Sequence, residues 1–456
     1  MRRVVKVSRI RIIITIIVVV LTTLLTGCTG KEPNEIAYVV ALGIDSTDDD
    51  NYKITIQYAN TTQISGGASE SGGKAGSEIV DNVTIEAPNI YAGVGLANNI
   101  VSKSFSMSHA KLIVFSKEIA EKGVKDMIET LVRSEEIRPD VFIAVANTTA
   151  NDYLTSVNPE MEVNPAQYYQ LIYQKNQLVG IPDGQLREFF TGLYTDNYDS
   201  IFPVAGVIEG SGGNSQNDDK GQSKDSQNEG SEGSSESLDS FESKSSNEKD
   251  ENEKEKDAEK NTSKYEYDIK NYVGGETAIE KKNKAEAIGA AVFEKDKMVG
   301  ELGEVETEIC KMLKGDYTYS YLTYYNNDTP DIPITVKTTQ QKKPKYKIDT
   351  DKKTVDIELY IESDLYSLPA DYNVENKIED FERDVANYTS SACTEFINNF
   401  TKKYNSDILK LNEKVKYKFL TNNQYNWFKK NVGWSKYKFS VCTNFKVRRT
   451  GLIVRE

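Results

Sequence analysis

The sequence predicts an α+β body of mixed sheets with packed helices, preceded by a cleaved lipoprotein signal peptide. Three observations lead there. Segments whose apolar residues alternate stand among segments whose apolar residues recur at helical spacing. A cationic and then apolar leader ends in a small-residue motif at Cys28. One long polar stretch, residues 210–264, divides the rest of the chain into two regions.

The leader opens with Arg2, Arg3, Lys6, Arg9 and Arg11 and no acidic residue, and a nearly unbroken apolar run from Ile12 to Leu25 comes next. That run is shorter than the roughly 20 residues a helix needs to span the hydrocarbon core, so export with cleavage is a better reading than a permanent span. Leu25-Thr26-Gly27-Cys28 has the bacterial lipobox form: a branched apolar residue, two small residues and cysteine. The peptidase must fit small side chains beside a lipid-modified thiol. Residues 1–27 are therefore expected to be removed as a signal peptide and Cys28 to carry acyl chains. Each buried methylene contributes about 0.8 kcal/mol, so two or three chains hold a protein firmly to a bilayer. A buried or disulfide-bonded Cys28 behind an uncleaved anchor is the alternative.

In the first region, residues 28–206, Ile36 to Ile44 form a nearly continuous apolar run, which predicts a buried strand. Asp48 to Asn51 supply a turn, and Tyr52, Ile54, Ile56 and Tyr58 alternate with Lys53, Thr55 and Gln57 on the returning strand. After a Gly- and Ser-rich stretch from Ser65 to Ser77, the pattern predicts a short strand at Val83–Glu86, a helix opened by proline over Pro88–Ser102, and a strand at Lys111–Phe115. A helix over Lys117–Arg133 turns Ile119, Val124, Met127, Ile128 and Leu131 inward, and Val141–Ala146 is a further strand.

Residues 207–282 read as a linker. Within it, 210–264 are dominated by Ser, Asn, Gly, Glu, Asp and Lys with only Leu238, Phe241 and Ala258 as apolar residues, too few to form a core. The last region, 283–456, opens with a hairpin, Ile288–Phe293 and Met298–Leu302 around a turn at Glu294–Lys297, and a helix over Glu304–Leu313. Strands dominate from Tyr317 to Ile361. Val374, Ile378, Phe381, Val385, Tyr388, Ala392, Phe396, Phe400 and Tyr404 then mark a long amphipathic helix. The closing strand alternates Tyr437, Phe439 and Val441 with Lys436, Lys438 and Ser440, and runs on to Lys446, Arg448 and Arg449.

Composition excludes several functions. The chain carries a net charge of −14, and loss of the five leader cations leaves the mature protein near −19, which argues against nucleic acid as a partner. Cys310, Cys393 and Cys442 lie far apart without a C-x-x-C spacing, so they read as core residues, with one pairing among them left open. With His109 the only histidine, zinc constellations and His-dependent nucleophiles have little to build from, and His109 itself reads as structural. The stretch Gly66 to Ala75 looks like a phosphate loop, but Ala68 stands where its first glycine belongs and Ala75 replaces the magnesium-binding Ser or Thr. Carboxylate pairs such as Glu304 and Glu306 are commonplace in so acidic a chain and do not nominate a glycosidase. Catalytic, metal and cofactor-binding residues are all expected to be none.

The order of motifs resembles the Ger(x)C family, lipoprotein C subunits of nutrient germinant receptors in endospore-forming bacteria. The N-terminal resemblance runs from the lipobox through Glu35 to Asp45, Tyr52 to Ala59, His109 to Val114 and Arg133-Ser134-Glu135-Glu136-Ile137-Arg138-Pro139. It continues in Gly289 to Phe293, Asp296 to Leu302, Tyr404-Asn405-Ser406-Asp407-Ile408 and Val447 to Ile453. Thr29 stands where members often carry tryptophan, and the insertion at 210–264 is unusually long.

The resemblance implies three small α/β-type domains, no enzymatic activity, and a place on the outer face of the spore inner membrane. It also implies membrane-embedded A and B subunits as partners in nutrient-triggered germination. Two other readings compete: a lipid-anchored solute-binding protein, which requires two lobes around a ligand cleft, and a cell-wall hydrolase. Lys446, Arg448 and Arg449 form a basic cluster in an acidic chain, and are expected to meet carboxylates either on a partner subunit or on the protein's own surface.

Overall fold

The computed structural model describes residues 13–17, 35–49, 51–60, 80–159, 162, 164–174, 180–195, 197–208, 271–277, 283–326, 329–367, 377–404 and 406–450. All but the leader fragment belong to two mixed sheets and their helices, which confirms the α+β class. The lipobox, Cys28, the Gly66 to Ala75 stretch and the insertion at 210–264 lie outside the described residues. Among those described, no helix is long and apolar enough to cross a membrane.

The first half builds on β1 (Ile36–Ser46), β2 (Tyr52–Ala59) and β3 (Val80–Ala87), an antiparallel meander. Helix α1 (Ile90–Ala97) comes next, then β4 (Ser104–Ser106) and β5 (Leu112–Ser116), both parallel to β1. Helices α2 (Lys117–Lys122) and α3 (Lys125–Val132) lead to β6 (Phe142–Ala146). After α4 (Ala150–Ser156), α5 (Pro165–Gln174) and α6 (Leu186–Thr195) comes β7 (Ile201–Val207), parallel to β6. The continuous apolar run of β1 reflects its central position, with helices on both faces of the sheet. A bulge between Val39 and Ala41 shifts the strand's phase, so Val39, Leu42 and Ile44 enter one core while Val40 and Ala41 enter the other.

Two sequence expectations need correction. The helix expected over Pro88–Ser102 is α1 alone, because Asn89 caps it by accepting from the Ala92 N–H at 2.9 Å and leaves Pro88 outside. The helix expected over Lys117–Arg133 breaks into α2 and α3 at Gly123, whose φ of 123° no helix allows. The five residues expected to face inward are nonetheless all buried.

Beyond the insertion, β8 (Ala285–Glu294) and β9 (Lys297–Leu302) form the expected hairpin but complete the first sheet. β8 pairs antiparallel with β7 from Ile201↔Val292 to Val207↔Ala285, giving nine strands in the order β3-β2-β1-β5-β6-β7-β8-β9 with β4 beside β1. Helix α7 (Glu304–Lys314) leads to the second sheet: β10 (Tyr319–Asn326), β11 (Thr329–Thr339), β12 (Lys345–Asp349) and β13 (Thr354–Ser367). Helices α8 (Ile378–Tyr404), α9 (Leu411–Val415) and α10 (Asn422–Asn431) precede β14 (Lys438–Arg449). One side of β13 pairs successively with β12 and β11, and the other takes β14 in parallel. A shared core of Ile201, Ala290, Val292, Cys310, Phe396 and Trp434 joins the two sheets.

Candidate functional surface

The basic cluster sits at the C-terminal end of β14. Lys446 pairs with Glu382 of α8, and Arg448 with Glu362 of β13. Both cations are largely exposed, and these hydrogen bonds raise the pKa of each above its ordinary value. The second oxygen of Glu382 accepts the Val447 N–H at 2.9 Å, so one carboxylate holds both backbone and side chain at the strand end. Arg449 is exposed opposite Asp364 in the strand register, with no ion pair within 4.0 Å among the described residues. Beside this end lies an open hollow of about 410 Å³, lined by Gln341, Lys342, Tyr360, Glu362, Asn444 and Arg448. Charges of both signs line it, an arrangement suited to salt-sensitive contact with another polar surface.

Other sequence motifs have structural tasks. Buried Asp45 accepts the Ala150 and Asn151 N–H groups at 2.6 and 3.0 Å, holding the start of α4. Glu136 accepts the Met107 N–H at 2.6 Å, and Arg138 pairs with neighbouring Asp140. His109 is exposed, its ring edge-on to Tyr38 at 4.8 Å and its Nδ1 3.0 Å from Ser108 Oγ.

Asp407 accepts the Leu411 and Asn412 N–H groups at 2.7 and 2.8 Å, and burial pushes its carboxyl up to about 7 against the pull of those bonds. Its own N–H donates to Asp199 Oδ2 at 2.8 Å, while Asp199 N–H returns a bond to its carbonyl at 3.2 Å. Sequence reasoning found the Asp407 motif but missed Asp199, Glu362 and Glu382, because each becomes meaningful only through a partner far along the chain.

Cys310, Cys393 and Cys442 are all free; burial pushes the first two thiols up to about 12, whereas Cys442, expected in the core, is exposed because it falls on the outward-facing positions of β14. Among the described residues no three His, Cys, Asp or Glu side chains cluster as a metal site would require.

The chain spans less than half the length of each curated relative it matches. It is 26% identical to spore germination protein KC of Bacillus subtilis (strain 168) over 174 residues, 35% of this chain and 42% of that protein. Putative spore germination protein YfkR of the same organism is 28% identical over 145 residues, 32% and 37% of the two chains. Spore germination protein B3, also from that organism, is 26% identical over 148 residues, 30% and 36%. Among solved structures, the crystal structure of the GerBC protein aligns at a TM-score of 0.47 and 14% identity, covering 89% of this chain and 96% of that one. Residues 30–207 match the spore germination protein N-terminal domain, and residues 288–451 the spore germination B3/GerAC-like C-terminal domain. With both halves matched in order across most of its length, the chain belongs to the GerAC-like family of spore germination proteins.

Proposed function

We propose that this protein is the lipid-anchored, non-enzymatic C subunit of a nutrient germinant receptor, held by acylated Cys28 to the outer face of the spore inner membrane. The observation that carries this reading is the family match over both halves, joined to a lipobox at the end of a cationic and apolar leader. Its partners are the membrane-embedded A and B subunits, and its task is receptor assembly and function in nutrient-triggered germination. Residues 28–206 and 283–456 are its two family regions, joined by the linker at 207–282. The exposed cations Lys446, Arg448 and Arg449 are offered as a contact for acidic groups on a partner, with Glu362 and Glu382 holding two of them in place.

Anchoring and assembly are tested separately. Cys28→Ala is expected to abolish acyl labelling and leave the precursor uncut, with germination impaired; normal labelling of the variant refutes the anchor. Arg448→Glu with Arg449→Glu is expected to leave anchoring intact while the A and B subunits no longer copurify from dormant spores in mild detergent. Normal copurification and germination would reject the partner contact.

A further inference from the structure

We infer that the edge of the first sheet at which its parallel strands begin is a lipid-contacting face, with Ile100 on one flank and Leu420 and Trp427 on the other entering the interface of an anionic bilayer. The inference rests on the anchoring reading and extends it from one cysteine to the folded body.

Strands β1, β5, β6 and β7 run in one direction, so their first residues share an edge. Glu35, directly before β1, is seven residues from Cys28, a reach of at most about 25 Å for a fully extended chain. An anchor at Cys28 therefore keeps this edge beside the membrane. β4 aligns Ser104–Ser106 with Ile36–Tyr38, which brings the α1-to-β4 connection to the same edge. Asn98 fixes this connection by accepting the Phe105 N–H at 2.8 Å, and Ile100 within it is 70% exposed.

The other flank is built from α10. Lys429 Nζ donates to Thr195 O at 2.9 Å and Asn197 Oδ1 at 3.1 Å, and Tyr425 OH reaches the same Asn197 oxygen at 3.2 Å. Residues 195–199 lead into β7, so these bonds tie α10 to the starting edge.

Thr421 caps α10, which puts Leu420 at the position that ordinarily packs onto the helix four residues in, here Tyr425. Phe419 takes that contact, its ring 5.9 Å from Tyr425 and 4.8 Å from Phe428, and Leu420 is left 95% exposed. Trp427 is 69% exposed on the same helix, and Tyr417 is also exposed.

Charge selects the occupant. From Lys414 to Lys436 the chain holds six lysines and no acidic residue, although the whole protein carries −14. Lys414, Lys418 and Lys429 donate to backbone carbonyls of the fold, while Lys416, Lys430 and Lys436, all exposed, can meet lipid phosphates. Tryptophan and tyrosine favour the level of lipid headgroups, lysine stems reach along apolar surface to anionic phosphates, and leucine enters the acyl boundary.

The test uses the full mature lipoprotein with exposed Cys442 replaced by serine, Cys310 and Cys393 being buried. Single cysteines at Ile100, Trp427 and, as a control at the opposite end of β1, Asp48 carry an environment-sensitive fluorophore. The protein is reconstituted into phosphatidylglycerol vesicles with brominated acyl chains. Labels at 100 and 427 are expected to shift to the blue and be quenched severalfold more strongly than the label at 48. If either reads like the control, as it would were this face reserved for a protein partner, the proposal is overturned. The mass of the N-terminal peptide from the same preparation reports separately whether Cys28 is acylated, so the anchor and the lipid-contacting face stand or fall independently.

Discussion

Glu308 on α7 shows how one side chain can set the pH response of the fold. It accepts a hydrogen bond from Tyr317 OH at 3.2 Å, yet burial outweighs this and pushes its carboxyl from 4.5 up to about 7. The folded protein thus keeps a proton that the unfolded chain releases above about 4.5. This contribution is full below that value, declines as pH rises towards about 7, and is constant above it. Glu308→Gln is expected to raise the thermal midpoint only slightly at pH 5 and much more at pH 8. The slope between those pH values becomes shallower without vanishing, because Asp407 titrates in the same window. An unchanged slope in a scanning calorimeter would show that Glu308 is ionised in the fold. Gly300 illustrates a steric constraint instead: a Cβ there would collide with the Tyr404 ring and hydroxyl, so two motifs of the C-terminal region interlock through a missing side chain.

At the scale of elements, β14 is an edge strand whose outer backbone groups need partners other than a strand. Helix α8 supplies them with side chains spaced four residues apart. Ser390 Oγ accepts the Thr443 N–H at 2.9 Å, Thr394 Oγ1 the Val441 N–H at 3.0 Å, and Asn398 Oδ1 the Phe439 N–H at 3.1 Å. Asn398 also donates to Phe439 O at 3.0 Å, and Glu382 continues the row at Val447. The helix therefore substitutes for a neighbouring strand and blocks pairing with a second chain. Ser390→Ala with Thr394→Val is expected to leave two N–H groups unpaired, at about 1–3 kcal/mol each in urea unfolding. It should also promote aggregation during refolding. Wild-type stability in this variant would mean that water replaces both hydroxyls at no cost.

Over the whole molecule, the long insertion leaves β7 and returns as its neighbour β8, so its ends are held together by the pairing from Ile201↔Val292 to Val207↔Ala285. Closing a long connection costs little more than closing a short one, since the entropy grows only with the logarithm of length. Deleting residues 211–261 is expected to stabilise the protein by roughly 1 kcal/mol or less. Destabilisation larger than about 2 kcal/mol in urea unfolding would be far outside the loop-closure effect and would show that the segment packs on the body. The two sheets are joined by the shared apolar core, the Asp199 and Asp407 bonds, and a Lys410 to Glu188 pair at 2.9 Å. Cationic residues at the two ends of β14, Lys436 and Lys438 at its start and Arg448 and Arg449 at its finish, are separated by about 35 Å of strand.

The sequence by itself determined the elements whose burial repeats with a local period. The continuous run of β1, the alternation in β2, the β8–β9 hairpin and the stripe on α8 were all legible because each buried face is written into consecutive residues. The motifs around Asp45 and Asp407 were legible too, but only as patterns; their tasks as buried helix caps depend on helices they meet in space. Tertiary structure alone decided that β8 and β9 belong to the first sheet, since strand pairing across a long insertion has no local signal. It also decided the break at Gly123, where the Val124 N–H turns out to donate to Asp296 O at 3.0 Å on the β8–β9 turn. Likewise it paired Lys446 and Arg448 with Glu382 and Glu362, carboxylates that composition could count but not place, because ion pairing depends on distance in the folded chain.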